Sequence, residues 1–339
     1  MTRPVLVTGG AGYIGAQVVH ALHDARRRVV ALDRLPAGDP RWGMLPEGVA
    51  KVIGDVGDPA CLEGISRTHG LGAIMHLAAR IDVAESVARP LDYYVANVLA
   101  SRTLLAWAME SGIGRFVFSS SAAVYGSDQP QPVSEDAVLV PASPYGETKR
   151  LVERMLDHVA AQAGTDGEGF TAVSLRYFNV AGADRKGRTG PQAGRSDVIS
   201  SACRAALEGR PFRIFGDDWP TVDGTPVRDF IHVDDLARAH LAALDLMEGA
   251  DAQACVHRVF NCGTGRGYSV AEVARAVEAV HGAPLIIEEA PRRPGDVAEM
   301  VAEPSRFEMA SGWRARHRDL EDIVADHYRW LARNDRQQL

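Results

Sequence analysis

VTGGAGYIG, residues 7–15, sets Gly9, Gly12 and Gly15 three residues apart, between the apolar run PVLVTG (4–9) and a helical pattern over 13–24. Glycine permits a tight turn and lets backbone approach a pyrophosphate closely, and the N-terminus of the following helix favours the negative charge. The spacing is G-x-x-G-x-x-G, and a glycine loop alone says little. Its context says more: Asp33 closes the next apolar run, RVVALD (28–33), eighteen residues after Gly15. A carboxylate there can bind both ribose hydroxyls of NAD and would repel a 2′-phosphate, so NAD is favoured over NADP. Arg34 weakens that preference, since an arginine at this edge can receive a phosphate or stack on adenine. Asp55, after the third run, can reach an adenine amino group or cap a helix, and Asp58 is an equally good cap.

Outward from the loop, short apolar runs alternate with helical stretches. Strands are expected at 4–9, 28–33, 49–55, 73–78, 115–121 and 172–177, and helices at 13–24, 58–68, 86–111 and 144–163. The runs are near-continuous, as in strands buried on both faces of a parallel sheet. The order predicts an α/β protein with a Rossmann-type doubly wound parallel sheet and a smaller α/β C-terminal substrate-binding domain. The texture changes after about residue 180. A Gly- and Arg-rich loop precedes a helix at 197–209, a strand at 212–216 and a helix at 234–247. A strand at 258–263, a helix at 269–282, a strand at 284–289 and a helix at 320–334 follow. The expected division is a cofactor domain over 1–180 and a smaller C-terminal part over 181–339, with the ligand cleft between them.

Composition narrows the partners. The 339 residues carry a net charge of −7, which argues against nucleic acid. No apolar run approaches the ~18–20 residues of a membrane span, and the N-terminus lacks a signal-peptide pattern. Four cysteines without C-x-x-C spacing read as reduced thiols, and the eleven histidines include no ligand cluster; His20 and His23 share a helix face with nothing to complete a site. A cytoplasmic protein without a metal is expected. Arg26-Arg27-Arg28 reads as a solvated helix end.

FSSSAAVYG (118–126) places serines at the C-terminal edge of the fifth strand, where a sheet presents side chains to a cofactor. In SPYGETK (143–149), Ser143 can cap a helix whose first position suits Pro144, and Tyr145 and Lys149 fall one turn apart. A free phenol has a pKa of about 10, too high for a base near neutrality, and a neighbouring cation lowers it. Only three of the 37 basic residues are lysine, so lysine at 149 favours a functional role over an ordinary amphipathic helix start.

With VTGGAGYIG, AESVARPLDYYVANV, FSSSAAVYG, SPYGETK, LRYFNVAGA, IFGDDWPTVDGTPVRDFIHVDDLA and RRPGD, the chain resembles the extended short-chain dehydrogenase/reductases and, within them, the UDP-glucose 4-epimerase family. These stretches cover about 4 to 300; the tyrosine–lysine pair marks only the superfamily. The resemblance implies held NAD, a UDP-hexose, and an isomerase passing through a transient 4-keto sugar. Tyr145 would be the base, Lys149 would lower its pKa, and Ser121 would orient the hydroxyl. Cofactor contacts would fall on Gly9, Gly12, Tyr13, Ile14, Gly15, Asp33, Arg34, Asp55, Val56, Leu77, Ala78, Ala79, Arg80, Asn97, Ser119, Tyr145, Lys149 and Phe178. Substrate contacts would fall on Ser121, Tyr145, Asn179, Val198, Ile214, Phe215, Arg228, Arg293 and Asp296. Arg228 and Arg293 would take phosphate oxygens, which suit the fork of guanidinium donors. A homodimer through 86–111 and 144–163 is also implied.

Three positions depart from the family pattern. Ile81 stands where a lysine is usual. Asp197 and Val198, in DVIS, replace N-L-x-P or H-L-x-P, so Asp197 should point away from a diphosphate. Met300 stands beside the sugar, where a small residue admits N-acetylated hexosamines; this predicts a preference for UDP-glucose and UDP-galactose. A 4-epimerase of another nucleotide sugar, such as a UDP-pentose or N-acetylhexosamine, is the nearest alternative. A dehydratase needs an extra acid and base where Ala122 and Ala123 stand. A non-catalytic NAD-binding regulator has no use for the serine, tyrosine and lysine together.

Overall fold

The computed structural model describes residues 3–127, 129–166, 169–192, 194–249, 254–293 and 295–335. Seven parallel strands form the central sheet: β1 (Val5–Thr8), β2 (Val29–Asp33), β3 (Ala50–Ile53), β4 (Ala73–His76), β5 (Arg115–Ser121), β6 (Thr171–Tyr177) and, beyond β7 (Asn179–Ala181), β8 (Phe212–Phe215) and β9 (Val227–His232), β10 (Val256–Cys262). Their order is β10-β6-β5-β4-β1-β2-β3. The order reverses between β1 and β4, the place where an open parallel sheet leaves a crevice at its C-terminal edge. β1 and β4 are buried along their whole length, which explains their unbroken apolar runs.

Helices cover both faces. α1 (Tyr13–Asp24) lies on one. α2 (Pro59–Thr68), the short α3 (Val83–Ala88) and α4 (Pro90–Tyr93), α5 (Ala100–Glu110) and α6 (Pro144–Asp166) follow it in the chain. The stretch 86–111, expected as one helix, breaks at Arg89 before Pro90, which cannot continue the preceding turn. A π turn over Tyr94–Leu99 then joins α4 to α5. Leu62, Ile65, Leu104, Leu105, Val152 and Leu156 close the core on the α2, α5 and α6 face.

The C-terminal part holds α7 (Val198–Glu208), α8 (Val233–Glu248), α9 (Val270–His281), α10 (Ser305–Ser311) and α11 (Leu320–Asp335). β11 (Gly267–Ser269), β9, β13 (Glu299–Met300) and β7 share a small sheet, and β12 (Ile287–Ala290) pairs with β8. The sequence pattern places the strand near 258–263 in this part; the structure places it in the central sheet, parallel to β6 from Val256↔Thr171 to Cys262↔Tyr177. α8 also returns, packing Leu236, Ala239, Ala243 and Leu244 into the core that α1 fills from its own side. Arg27, expected at a solvated helix end, instead bonds Glu248 at 2.6 Å and Asp245 at 2.9 Å, tying the end of α1 to the end of α8.

Candidate active site

The glycine loop is shaped by close backbone contacts. Gly9 has φ +67, and a Cβ there would lie 2.9 Å from the Ala78 nitrogen. A Cβ at Gly15 would lie 1.9 Å from the Gly9 carbonyl oxygen, so only glycine allows α1 to start this close to β1. Gly12 caps α1 without a side-chain bond, and the first turn holds no acidic residue. The free N–H groups of that turn favour an anion.

A cleft of about 880 Å³ opens here, lined by Gly9, Gly12, Tyr13, Ile14, Gly15, Asp33, Arg34, Asp55, Val56, Leu77, Ala78, Ala79 and Arg80. Thirteen of the residues that the resemblance assigns to the cofactor therefore meet on one wall. Asp33 ends β2 and accepts the Ala11 N–H at 3.1 Å, which aims its carboxylate along the cleft. Asp55 accepts the Gly57 N–H at 2.7 Å and faces Arg34 at 3.4 Å, while Asp58 is the residue that caps α2. An uncapped helix start, glycines that admit backbone contact and a carboxylate at the end of β2 fit a dinucleotide with free ribose hydroxyls.

Five of the assigned cofactor residues do not line this opening. Asn97, in the π turn, spends its amide on the Arg80 backbone (2.8 and 3.0 Å) and the Thr148 hydroxyl (3.0 Å), so it holds the cleft wall from behind. Phe178 is buried with Ala122, Tyr125 and Met300 on the C-terminal side. Its neighbour Tyr177, the last residue of β6, lines the cleft instead; Phe178 falls in the break between β6 and β7. Ser119, Tyr145 and Lys149 are buried next to Tyr177 and do not themselves line the opening.

Local packing brings those three together with Ser121. The Ser143 hydroxyl accepts the Gly146 N–H at 3.2 Å and fixes where α6 begins. A Cβ on Gly146 would lie 2.4 Å from the Ala123 carbonyl oxygen, so this glycine lets α6 press against the turn that follows β5. Tyr145 is thereby buried with its phenol hydrogen-bonded to Ser121. Burial raises its pKa and the Ser121 bond opposes that rise. Lys149 Nζ donates to the Ser119 carbonyl at 2.7 Å and lies 5.8 Å from the Tyr145 ring centre. The Ser119 hydroxyl is bonded to Tyr177 and meets His240 Nε2 at 3.2 Å.

Burial lowers the Lys149 pKa to about 7, against a small upward pull from Glu153. Between about pH 7 and the usual 10.5, unfolded chain then holds a proton that the folded cofactor-free protein has lost. Stability should rise with pH across that window and lose this contribution as pH falls through 7. With three lysines in the chain, ¹⁵Nζ spectra of labelled cofactor-free protein can follow it: the resonance absent from Lys149→Met should titrate near pH 7. A midpoint above 9 would contradict the burial argument.

The substrate side is more dispersed. Arg228, on β9, is largely buried; it donates to the Val227 carbonyl at 2.8 Å, and its nearest carboxylate is Asp296 at 3.8 Å. Desolvation lowers its pKa, as expected of a cation short of counter-charge. Ile214 and Phe215 end β8, and the Arg293 guanidinium carbon lies 3.5 Å from the Phe215 ring centre. Asn179 opens β7 and Val198 opens α7. Asp197 turns inward, accepting Arg195 Nε at 2.7 Å, the Ser200 N–H at 2.9 Å and its hydroxyl at 2.8 Å. Ile81 is exposed at the cleft rim, and Arg80 beside it is held by Asp92 at 3.3 Å. Tyr177, Gln192 and Arg195 also line the cleft and carried no sequence signal beyond the strand end in LRYFN.

Fold and cleft together define a dinucleotide-binding α/β protein with a Rossmann-type sheet. The chain belongs to the NAD dependent epimerase/dehydratase family, whose pattern matches residues 5–263. It is 46% identical over 331 residues to the UDP-glucose 4-epimerase of Azospirillum brasilense, covering 96% of this chain and 91% of that one. Its fold matches the UDP-glucose 4-epimerase of Stenotrophomonas maltophila with bound NAD and formylated UDP-arabinopyranose (TM-score 0.91, 36% identity, 99% of each chain). The enzyme of Bifidobacterium longum in complex with NAD+ and UDP matches with a TM-score of 0.89 at 33% identity, over 98% of this chain and 99% of that one.

Proposed function

We infer that this protein is an NAD-dependent UDP-glucose 4-epimerase, interconverting UDP-glucose and UDP-galactose. The observation that carries the reading is the Tyr145 phenol, buried and bonded to Ser121 next to Tyr177, which itself lines the dinucleotide cleft. When bound, NAD supplies a two-electron acceptor for the sugar carbon and returns what it takes, and its charge favours the phenolate. Gly12 and the first turn of α1 hold the diphosphate, and Asp33 holds the adenosine ribose. Ser121 orients the 4-hydroxyl, Tyr145 removes its proton, and Lys149 stabilises the phenolate once the ammonium form is favoured. Tyr145 gives the proton back after the 4-keto sugar has turned over.

Arg228, Arg293 and Asn179 grip the UDP diphosphate, Asp296 binds ribose or orients Arg293, and Ile214, Phe215 and Val198 line the nucleotide site. The nearly uncompensated charge of Arg228 supports an anionic ligand there. Residues up to about 180 carry most of the cofactor site and 181–339 most of the nucleotide-sugar site. Val87 and Leu91 are 63% and 76% exposed along 86–111, which supports a homodimer through that face; sedimentation velocity showing a monomer would remove it. Four free cysteines fit a cytoplasmic setting, and no helix among the described residues is long and apolar enough to cross a membrane.

The test is a panel of nucleotide sugars assayed on purified protein without added NAD. UDP-galactose and UDP-glucose should interconvert, and UDP-N-acetylglucosamine should turn over at least about tenfold less well, because Met300 fills the space beside Phe178. Turnover of a UDP-pentose alone would move the activity to another 4-epimerase. No turnover of any sugar by NAD-loaded protein would leave a binding protein.

A further inference from the structure

Two arginines of the cleft, Arg41 and Arg195, have no place in this scheme. Arg34, Arg41, Arg80 and Arg195 all line it. Arg34 faces Asp55 and Arg80 faces Asp92, while Arg41 closes on Asp39 through Nε at 2.8 Å and Nη2 at 2.6 Å. Arg195 differs in origin and position. It comes from the loop before α7, far from the glycine loop in sequence, and its guanidinium carbon lies 4.8 Å from the ring centre of Tyr13, the first residue of α1. Only its Nε is engaged, with Asp197, so among the described residues both Nη groups are free to face a ligand.

A closed circuit of bonds fixes this position. The Tyr13 hydroxyl donates to the Gly182 carbonyl at 2.6 Å, and the Gly182 N–H donates to His327 Nδ1 at 3.2 Å. With Nδ1 accepting, His327 Nε2–H donates to the Ser200 hydroxyl at 2.9 Å, and that hydroxyl donates to Asp197 at 2.8 Å. Asp197 holds Arg195, and Arg195 lies over Tyr13 again. Burial lowers the His327 pKa to about 4, so the ring stays neutral and the circuit keeps one donor order near neutral pH.

We propose that Arg195 is a cofactor-binding residue: its free Nη edge pairs with the NAD diphosphate at the start of α1, so that the loop leading to α7 straps the cofactor into its cleft. The proposal rests on NAD being the cofactor. The diphosphate there would be held from one side by helix N–H groups and from the other by a fork of charged donors, the geometry arginine serves best. Asp197 belongs to the same device. It takes the Nε side of the guanidinium and leaves the Nη edge for phosphate, which explains an acidic residue on a loop that meets anionic ligands.

The experiment is calorimetric titration of NAD into cofactor-stripped wild type, Arg195→Met and Arg195→Lys, with UDP titrated into the NAD-loaded forms. Arg195→Met should weaken NAD by roughly ten- to a hundredfold and leave UDP within about twofold, and lysine should fall between. Unchanged NAD affinity would overturn the proposal, and so would a loss confined to UDP, which would put Arg195 on the substrate. Should the methionine variant fail to fold, Arg195→Lys decides: a bidentate role requires at least about threefold weaker NAD, and wild-type affinity would overturn it. Failure of wild type to bind NAD would remove the functional reading itself, a different outcome from equal binding by wild type and variant.

Discussion

Tyr145→Phe should lower kcat for UDP-galactose by roughly a hundred- to ten-thousandfold, the range expected when a positioned acid–base group is removed. The change deletes one oxygen from a ring that is 7% exposed, so packing against β5 and β6 should survive. None of the thirteen cleft-wall residues is touched, and the NAD content of the purified variant, read by absorbance after denaturation, should match wild type. Ser121 would remain to orient the hydroxyl but has no base of its own, because His240 meets Ser119 and not Ser121. A kcat within about fivefold of wild type, with NAD retained, would sink the assignment of Tyr145 as base.

The second large effect concerns stability. Arg176 and Glu153 are each 5% exposed and meet through two bonds, 2.9 and 2.6 Å long. Arg176 also donates to the Tyr125 hydroxyl at 3.1 Å, and Glu153 accepts the Ser120 hydroxyl at 2.6 Å. Arg176→Met would leave a buried carboxylate with the Ser120 hydroxyl and, one turn away on α6, Lys149, whose own burial favours its neutral form. A loss of about 3–5 kcal/mol is expected in urea unfolding of the cofactor-free protein. Replacing both partners, Arg176→Met with Glu153→Leu, should recover much of it, since two apolar residues leave no charge uncompensated. A single-variant loss below about 1 kcal/mol would mean that water reaches Glu153.

Much of this architecture was legible because it rests on local rules. The glycine loop, Asp33 at a strand end, and Ser143-Pro144 before Tyr145 each carry their own conformational reason. What was not legible depends on contacts distant in sequence. An apolar run such as 256–262 reads the same at a central edge or in a second sheet, and the pairing with β6 is decided by α8 returning to the core beside α1. Tyr177 lines the cleft and Phe178 packs away from it, and the spacing in LRYFN does not say that β6 ends between them. Arg195 and Gln192 lie in a polar loop without periodicity, and nothing local says that it folds back to the start of α1. The role of Gly146 follows from the Ala123 carbonyl against which it packs, a neighbour that spacing alone does not reveal.

The return of β10 to the central sheet has a mechanical consequence. The chain leaves the sheet after Tyr177, re-enters its helical cover at Val233 and departs again after Cys262. The C-terminal part is thus spliced into the central sheet through several elements rather than hung from one linker. A lobe anchored this way resists swivelling, so on the proposed reading the UDP site should keep its bearing on Tyr145. To present both faces of C4, the sugar must do the turning, swinging on its own bonds while the protein around it stands still.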